Sequence, residues 1–523
     1  QPAGQFNVTG NYNTATERGN FDLRLTGLNQ NAVRTVMPTI GDKQLVTISI
    51  NGNATAQLNS TNDAAFKADF RISDLVVRDP QKREPEAPFS AQLQLDGGMT
   101  NQLVDLRQLQ LNLSPTPRAK NQLLVTGRLD LTNTNATSGD LTLASDSLDL
   151  TQIYNLFGGS EQPAQAAPGA APAPAAPPAP AADANVEPEP LNLPVGRILF
   201  KANIAQLYLQ EIAITNLQTQ GRLLGNRLTA NPQMTMNGSR VRANLDIDMG
   251  VRGYAYNIQF SADRLPVEPL VNTFVPEYRN QYQGTLVANA DIRGVGVTGR
   301  SMRQSLSGNT TLTWTNANIQ VVTDPRLRAI IGPVSTLLNV PEINQTPVNW
   351  IDAQLAFGNG NIGVQRCALE SDAFRLSFQG KIPIADVLTN SPIPNLPVPF
   401  ELRQSLARKS PINLVPAGTP PEATYVMLPQ FLQLAGTIGD PSPRLDRNAL
   451  LVRTGTELLQ RAAPEAGRFI EGFLRGQQPQ TNAAPQQPQQ PQQPQQQQQQ
   501  GTNAAPTRPG ILDSILQGVR PSP

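Results

Sequence analysis

The sequence predicts a mainly β protein: elongated, curled antiparallel sheets forming a β-groove from repeated modules, with a few short amphipathic helices and disordered low-complexity tracts. Three observations lead there. The first is strict alternation, in which Phe66, Ala68, Phe70 and Ile72 fall on one face of a strand while Lys67, Asp69, Arg71 and Ser73 fall on the other, as a side-chain period of two requires. The second is an internal repeat at a spacing of 117 residues, in which GDLTLASDSLDLTQIYNLF (139–157) returns as YNIQFSADRLPVEPLVNTF (256–274) without a gap. Asp146, Leu148, Asn155 and Phe157 meet identical residues at Asp263, Leu265, Asn272 and Phe274, and each copy is a strand followed by a short apolar helical turn. The third is a strand that crosses a glycine and continues, as in Leu123–Leu131, Arg375–Ile384 and Phe431–Asp440. Glycine inside a strand marks a bulge, a bend or a close backbone approach, so a sheet bent at regular places curls into a trough; the competing expectation is glycines that merely relieve crowding in a flat sandwich.

In chain order, residues 1–158 form an N-terminal β module whose strands include the alternating sets Phe66–Ile72, Phe89–Leu95 and Leu109–Leu113. Turns are expected at Asp96-Gly97-Gly98 and, later, at Gly358-Asn359-Gly360, where Gly and Asn supply the positive φ of hairpins. Residues 159–190, rich in Ala and Pro, form a stiff, disordered linker. Residues 191–447 form a second β module with the alternating sets Tyr254–Phe260 and Phe374–Phe378. Within it, Asp324 and Pro325 are N-cap and first residue of a helix carrying Leu327, Ile330, Ile331, Val334, Leu337 and Leu338, which Pro333 should kink or interrupt. Residues 448–476 are an amphipathic helical segment, 477–510 a disordered Gln/Pro tract, and 511–523 a short terminal helix.

Composition excludes several function classes. Lys plus Arg is 41 against 40 for Asp plus Glu, so no global field draws the chain to nucleic acid. There is no histidine, which removes the usual general base and the commonest metal ligand. The single cysteine, Cys367, lies in a strand-like tract without a partner for a disulfide or zinc site and is expected to pack as a small apolar residue. No run of about 18 apolar residues is present, and the chain enters a strand pattern by Phe6 without a signal peptide, as a mature or trimmed fragment would.

Two motifs invite chemistry. Gly294-Val295-Gly296-Val297-Thr298-Gly299 matches the dinucleotide fingerprint, but that fingerprint requires a helix opening at the glycines inside a βαβ unit. Here the next segments are a polar connection and another strand, so a turn between antiparallel strands is expected. Asp246 and Asp248 share a strand face and so have the spacing to approach one cation, although alternation with Leu245, Ile247 and Met249 makes them the solvent side of a strand. No cofactor, metal or catalytic group is expected.

The run Tyr282–Ile319 contains a strand ending in a Gly-rich turn, a short polar segment, the phrase Ser305-Leu306-Ser307-Gly308 and a further strand, and it resembles the C-terminal region of the AsmA family of bacterial envelope proteins. Trp350–Leu388 looks like that family's paired strands with a glycine-crossed ending, and Gly436, Thr437, Ile438 and Pro441 are similar to its closing phrase. The resemblance covers about 195–446, and 6–157 through the repeat; the family's N-terminal membrane helix is absent from this sequence, and the Ala/Pro and Gln/Pro tracts lie outside its pattern.

The resemblance implies an elongated periplasmic protein, inner-membrane anchored in its full-length form, that shields phospholipid or another acyl lipid in a groove between the two membranes and supports outer-membrane homeostasis, with envelope proteins as further partners. A diacyl lipid carries roughly 30 methylenes, whose exposure costs on the order of 20 kcal/mol, so an apolar trough lowers that barrier without any reactive group. Residues expected to line it are Phe66, Phe70, Ile72, Leu93, Leu95, Ile258, Phe260, Phe374, Leu376 and Phe378. The alternative is a structural scaffold or assembly factor whose apolar face is fully packed by protein.

Overall fold

The computed structural model describes residues 3–450 apart from 35–38, 41–42, 61, 79–87, 158–185, 411–413 and 417. The expected helices at 448–476 and 511–523 and both low-complexity tracts fall almost wholly outside the described residues; of them only 448–450, which is helical, and the end of the Ala/Pro linker, 186–190, are described, and 187–189 are not a free linker but are bonded to the turn rim.

The first module contains β1 (Gln5–Asn13), β2 (Arg18–Asn29), α1 (Gln30–Val33), β3 (Thr39–Ile40), β4 (Lys43–Ser60) and β5 (Asp63–Arg78). It continues through β6 (Phe89–Thr100), β7 (Leu103–Leu113), β8 (Gln122–Asp130), β9 (Thr137–Asp149) and α2 (Thr151–Phe157). The second opens with β10 (Val195–Leu209), β11 (Ile212–Leu224), β12 (Arg227–Ala230), β13 (Gln233–Met236), β14 (Ser239–Asp248), β15 (Ala255–Pro266) and α3 (Glu268–Phe274). Then come β16 (Thr285–Val295), α4 (Gly299–Ser305), β17 (Ser307–Ile319), α5 (Pro325–Leu338), α6 (Glu342–Gln345), β18 (Val348–Gly358), β19 (Asn361–Ser371) and β20 (Phe374–Pro383). The chain closes with β21 (Leu396–Pro397), β22 (Phe400–Arg403), α7 (Gln404–Lys409), β23 (Tyr425–Met427), β24 (Leu432–Gly436) and β25 (Pro441–Leu445).

All strands except β21, β24 and β25 join one 22-stranded curled sheet, a meander in which nearly every strand pairs antiparallel with its chain neighbour. β12 and β13 share one place between β11 and β14, split at Asn231-Pro232 because proline has no N–H for the ladder. The two modules meet edge to edge. β10 pairs parallel with β9 from Thr137↔Val195 to Asp149↔Tyr208, so the sheet continues across the segment 158–185.

The two copies of the repeat, β9–α2 and β15–α3, place Leu148 and Leu265 in matching buried positions. Their onward connections differ: the chain returns parallel after the first copy and antiparallel after the second. Two of the three glycine-crossed strands are bent as expected; the third expectation, at Phe431–Asp440, fails, because β24 ends at Gly436, whose φ of 83° opens the turn into β25. Gly127 pairs with Leu106 beside a bulge in β7, and Gly380 pairs with Val364 beside a bulge in β19. Their φ values, 156° and 154°, are rare for L residues, and a bulge both bends a strand and increases its twist.

Every helix but α4 lies at one rim of the sheet, and the opposite rim is made of short turns. At that turn rim Asn359 and Gly360 both have positive φ, closing β18–β19 as expected. The expected turn at Asp96-Gly97-Gly98 is instead the interior of β6, where Gly97 makes room for the ring of Phe66 on β5. The hairpin closes at Asn101-Gln102, both at positive φ.

The buried clusters sit at the helical rim, and the largest also reaches across β19–β20, where Val364 and Ile382 are buried with Leu396 of β21 and Leu434 of β24. α2 brings Leu156 onto Leu45, Ile48, Leu75, Val77 and Phe89, and α3 brings Leu270 against Val241, Ala262 and Leu265. The largest cluster is built on α5, whose N-cap Asp324 accepts from the Arg326 and Leu327 N–H groups. Pro333 does not end this helix, which runs on to Leu338, because Ile331, Val334 and Leu338 on either side of it are fully buried and outweigh the lost hydrogen bond.

Candidate functional site

Registers across the sheet carry one apolar face from strand to strand. Ala56, Phe66, Gly97, Leu106, Gly127 and Leu141 lie in one row, and the parallel joint continues it through Phe200, Gly221, Ala230, Leu245, Ile258 and Ile292. No side chain in that row is charged or hydrogen-bonding. At about 4.8 Å between neighbouring strands the row extends on the order of 50 Å, and the whole meander about twice that. Its large members are all half-buried. Midstrand residues under a second sheet layer would be fully buried, so the face is an open trough over its middle and turn-rim side, closed along the helical rim and, at β19–β20, by the small sheet of β21, β24 and β25.

Of the expected lining residues, Phe66, Phe70, Leu95 and Ile258 are half-buried on this face, Leu93 is 37% exposed on it, and Ile72 and Phe260, also half-buried, pack against the clusters of the helical rim. Phe374 and Leu376 share the face but not the opening. Phe374 is 0% exposed, stacked on Phe400 with ring centroids 5.5 Å apart, and Leu376 belongs to the same core, so the groove assignment is corrected for these two. Phe378 is packed against that core. Alternation places a residue on a face; it cannot tell an open stretch of that face from one capped by a helix far along the chain.

Sequence reasoning missed how the floor is built. Five aromatic residues pair directly with glycines on the neighbouring strand: Phe21 with Gly10, Phe70 with Gly52, Phe66 with Gly97, Phe200 with Gly221 and Tyr256 with Gly294. In each pair a Cβ on the glycine would lie 2.3–2.6 Å from a ring atom or the Tyr256 hydroxyl oxygen, so the side chain reclines across the strand gap onto bare backbone. None of these five glycines has positive φ; at Gly97 and Gly294 the ring alone requires glycine, whereas at Gly52 and Gly221 a Cβ would also meet a neighbouring carbonyl oxygen, at 2.9 and 2.6 Å. The available signal was glycine in phase with the apolar positions, as Gly97 is with Leu93 and Leu95.

Charge is confined to the opposite face and the rims. Asp96 takes Arg107 and, at 3.4 Å, Lys67, and Asp246 takes Arg227 at 2.6 Å, which disposes of the Asp246/Asp248 pair as a cation site. No cluster with metal-binding composition is present among the described residues. Cys367 is half-buried, and burial, aided by the Asp352 charge, pushes its thiol up to about 12.

The Gly-rich motif lies in a connection between two antiparallel strands, as expected, but the polar stretch after it is a helix, α4, capped by the Thr298 hydroxyl. Its backbone is already occupied. Glu187, from the strap 186–194, accepts from the Val297 and Thr298 N–H groups and from the Thr298 hydroxyl. A Cβ on Gly253 or Gly296 would stand 2.7 Å from that carboxylate. Burial works against charge at Glu187, but hydrogen bonds from Ser301, Thr298 and the backbone outweigh it and hold the carboxyl below its usual range. The strap then runs along the turn rim through Gly253 N–H to the Pro188 carbonyl, Arg252 to Glu189, and Leu191 N–H to the Met249 carbonyl.

At the helical end of the β9–β10 joint, Asp149 receives Arg118 through Nε at 3.1 Å and Nη2 at 3.0 and 2.9 Å. It also accepts from the Thr116 hydroxyl and Thr151 N–H, each at 3.1 Å. Arg118 donates onward to the Gln210 carbonyl at 2.7 Å and lies 4.9 Å from the Tyr208 ring centroid, so one guanidinium ties both modules.

Fold and site together define a class: a long, open β trough with an apolar, aromatic-over-glycine floor, closed by helices along one rim. No family model, curated protein or solved structure matches the chain.

Proposed function

We propose that this chain is a non-enzymatic, AsmA-like protein of the periplasm that binds or conducts phospholipid along its trough between inner and outer membranes, and so supports outer-membrane assembly. One observation carries the reading: an apolar face continuous through both modules that is left half-buried, with no layer over its middle among the described residues. A folded chain rarely leaves so large an apolar strip without a partner, and acyl chains match its chemistry. The residues of Tyr282–Ile319 and Trp350–Leu388 add the family resemblance. The phrase Ser305–Gly308 is structural in that comparison, since the Ser305 hydroxyl closes the end of α4 onto Val295 and a Cβ on Gly308 would lie 1.9 Å from the Asp291 carbonyl oxygen.

The test is lipid content. Protein purified from a bacterial envelope is expected to carry extractable phospholipid, and Phe66→Asp or Phe260→Asp to lose it while melting as a folded protein. Leu376→Asp is unsuitable, because that side chain lies in the closed core. A lipid-free wild type, or a lipid load unchanged in both folded variants, sinks the proposal and favours the scaffold.

A further inference from the structure

The five ring-over-glycine pairs have a consequence for transport. A phenyl ring standing upright on a strand projects about as far as an acyl chain is thick, whereas a ring laid across the neighbouring strand occupies the gap between strands. In this trough the rings are laid down. At Gly97 a Cβ would stand 2.4 Å from Phe66 Cε2 and 2.5 Å from Cζ; at Gly294 it would stand 2.6 Å from the Tyr256 hydroxyl oxygen and 2.9 Å from Cζ. At these two sites no backbone atom lies within 3.0 Å of that Cβ, and φ is ordinary, so alanine fits the strand and conflicts only with the ring.

We propose that these glycines are positioning residues that set the depth of the trough: each seats an aromatic side chain below the path of the acyl chain, and adding a Cβ raises the ring into that path. This rests on the lipid-carrying function proposed for the trough. The pairs recur along the length, in β1–β2, β4–β5, β5–β6, β10–β11 and β15–β16, so a single raised ring obstructs passage without removing the apolar surface on either side. Glycine opposite an aromatic residue is also a known stabilising arrangement in sheets, and the experiment separates depth from stability.

The measurement is transfer of a fluorescent phospholipid between phosphatidylcholine vesicles by the full chain, with melting recorded for each variant. Gly97→Ala and Gly294→Ala are expected to slow transfer about tenfold, the effect of displacing roughly two methylenes from the floor. With Phe66→Leu in place, adding Gly97→Ala is expected to leave transfer at the rate of Phe66→Leu alone, because no ring remains to be raised. Wild-type transfer in folded Gly97→Ala and Gly294→Ala overturns the inference while leaving the lipid reading intact. Should Gly97→Ala fail to fold, Gly294→Ala decides: a tenfold loss supports the inference, and wild-type transfer overturns it. Absence of transfer by the wild type would instead refute the function on which it rests.

Discussion

Replacing Arg118 by alanine should loosen the joint between the two modules and little else. The Asp149 side chain is 5% exposed and would keep its bonds from Thr116 and Thr151 while losing all three contacts from Arg118. A buried carboxylate stripped of its cation costs roughly 3–5 kcal/mol. The guanidinium is 41% exposed, and the screening this implies brings the figure to about 2–3 kcal/mol. Loss of the bond to the Gln210 carbonyl and of the Tyr208 contact keeps it at the upper end. About 3 kcal/mol is roughly a hundredfold in an opening equilibrium. In a sheet whose strands touch only their neighbours, the effect should stay local, as in other quasi-one-dimensional architectures. Hydrogen exchange is the assay: amides of β9 and β10 at their helical end should exchange about a hundredfold faster, with β4–β6 and β17–β20 unchanged. Acceleration spread evenly over the sheet, or less than about threefold at the joint, would refute the account of Arg118 as the tie between modules.

Acid should release the joint and the strap together. The Asp149 and Glu187 carboxyls, ordinarily near 3.8 and 4.5, are both held lower in the folded chain by hydrogen bonds that outweigh burial, so their contributions are complete above those ordinary values and vanish as pH falls through the lowered ones. Exchange at 186–194 and at the joint is expected to accelerate only below about pH 4; acceleration between pH 6 and 5 would contradict it. The thiol of Cys367 should resist an aromatic disulfide reagent at pH 8 until denaturant is added, since burial holds it protonated to about 12; rapid labelling of the native chain would contradict that. Finally, Phe374→Ala should cost about 3–5 kcal/mol in chemical denaturation and Phe70→Ala about half as much, because the first ring is fully buried and the second lies on the open floor; equal losses would mean that the face around Phe70 is covered.

Much of the sheet was legible because alternation is a local property. Phe66–Ile72 and Ile258–Phe260 fixed their faces from a few residues each, and the 117-residue repeat found the two strand–helix units that occupy matching places on the helical rim. Information carried by distant pairing was not legible. Nothing near Phe374 announces that Phe400 and Phe431 will close over it, and nothing near Gly97 names Phe66 as the ring it must accommodate. Asp96-Gly97-Gly98 misleads for that reason, since glycine next to aspartate is a local turn signal while its use here depends on a strand about thirty residues earlier. The motif 294–299 misleads differently. Its loop does turn backbone N–H groups, those of Val297 and Thr298, to a carboxylate, but the carboxylate is the chain's own Glu187, from the end of the segment 159–190.

The openness of the trough bears on stability as well as on carriage. Phe66, Leu106, Leu141, Phe200, Leu245, Ile258 and Ile292 would each gain about 1 kcal/mol from full burial, since a large apolar side chain contributes roughly 1.5–3 kcal/mol and these are already half-covered. A second sheet layer would capture that gain, and among the described residues none covers this row; β21, β24 and β25 cover only the β19–β20 end of the face, and clusters on α2, α3 and α5 close the helical rim. The stabilisation that the middle of the face forgoes in the empty protein is therefore available to whatever lies on it. A ligand that covers the row stabilises the native state in proportion to its occupancy, while rings laid on glycines keep the row level enough for that ligand to move along it. On the proposed function, bound lipid and folded trough would therefore support one another.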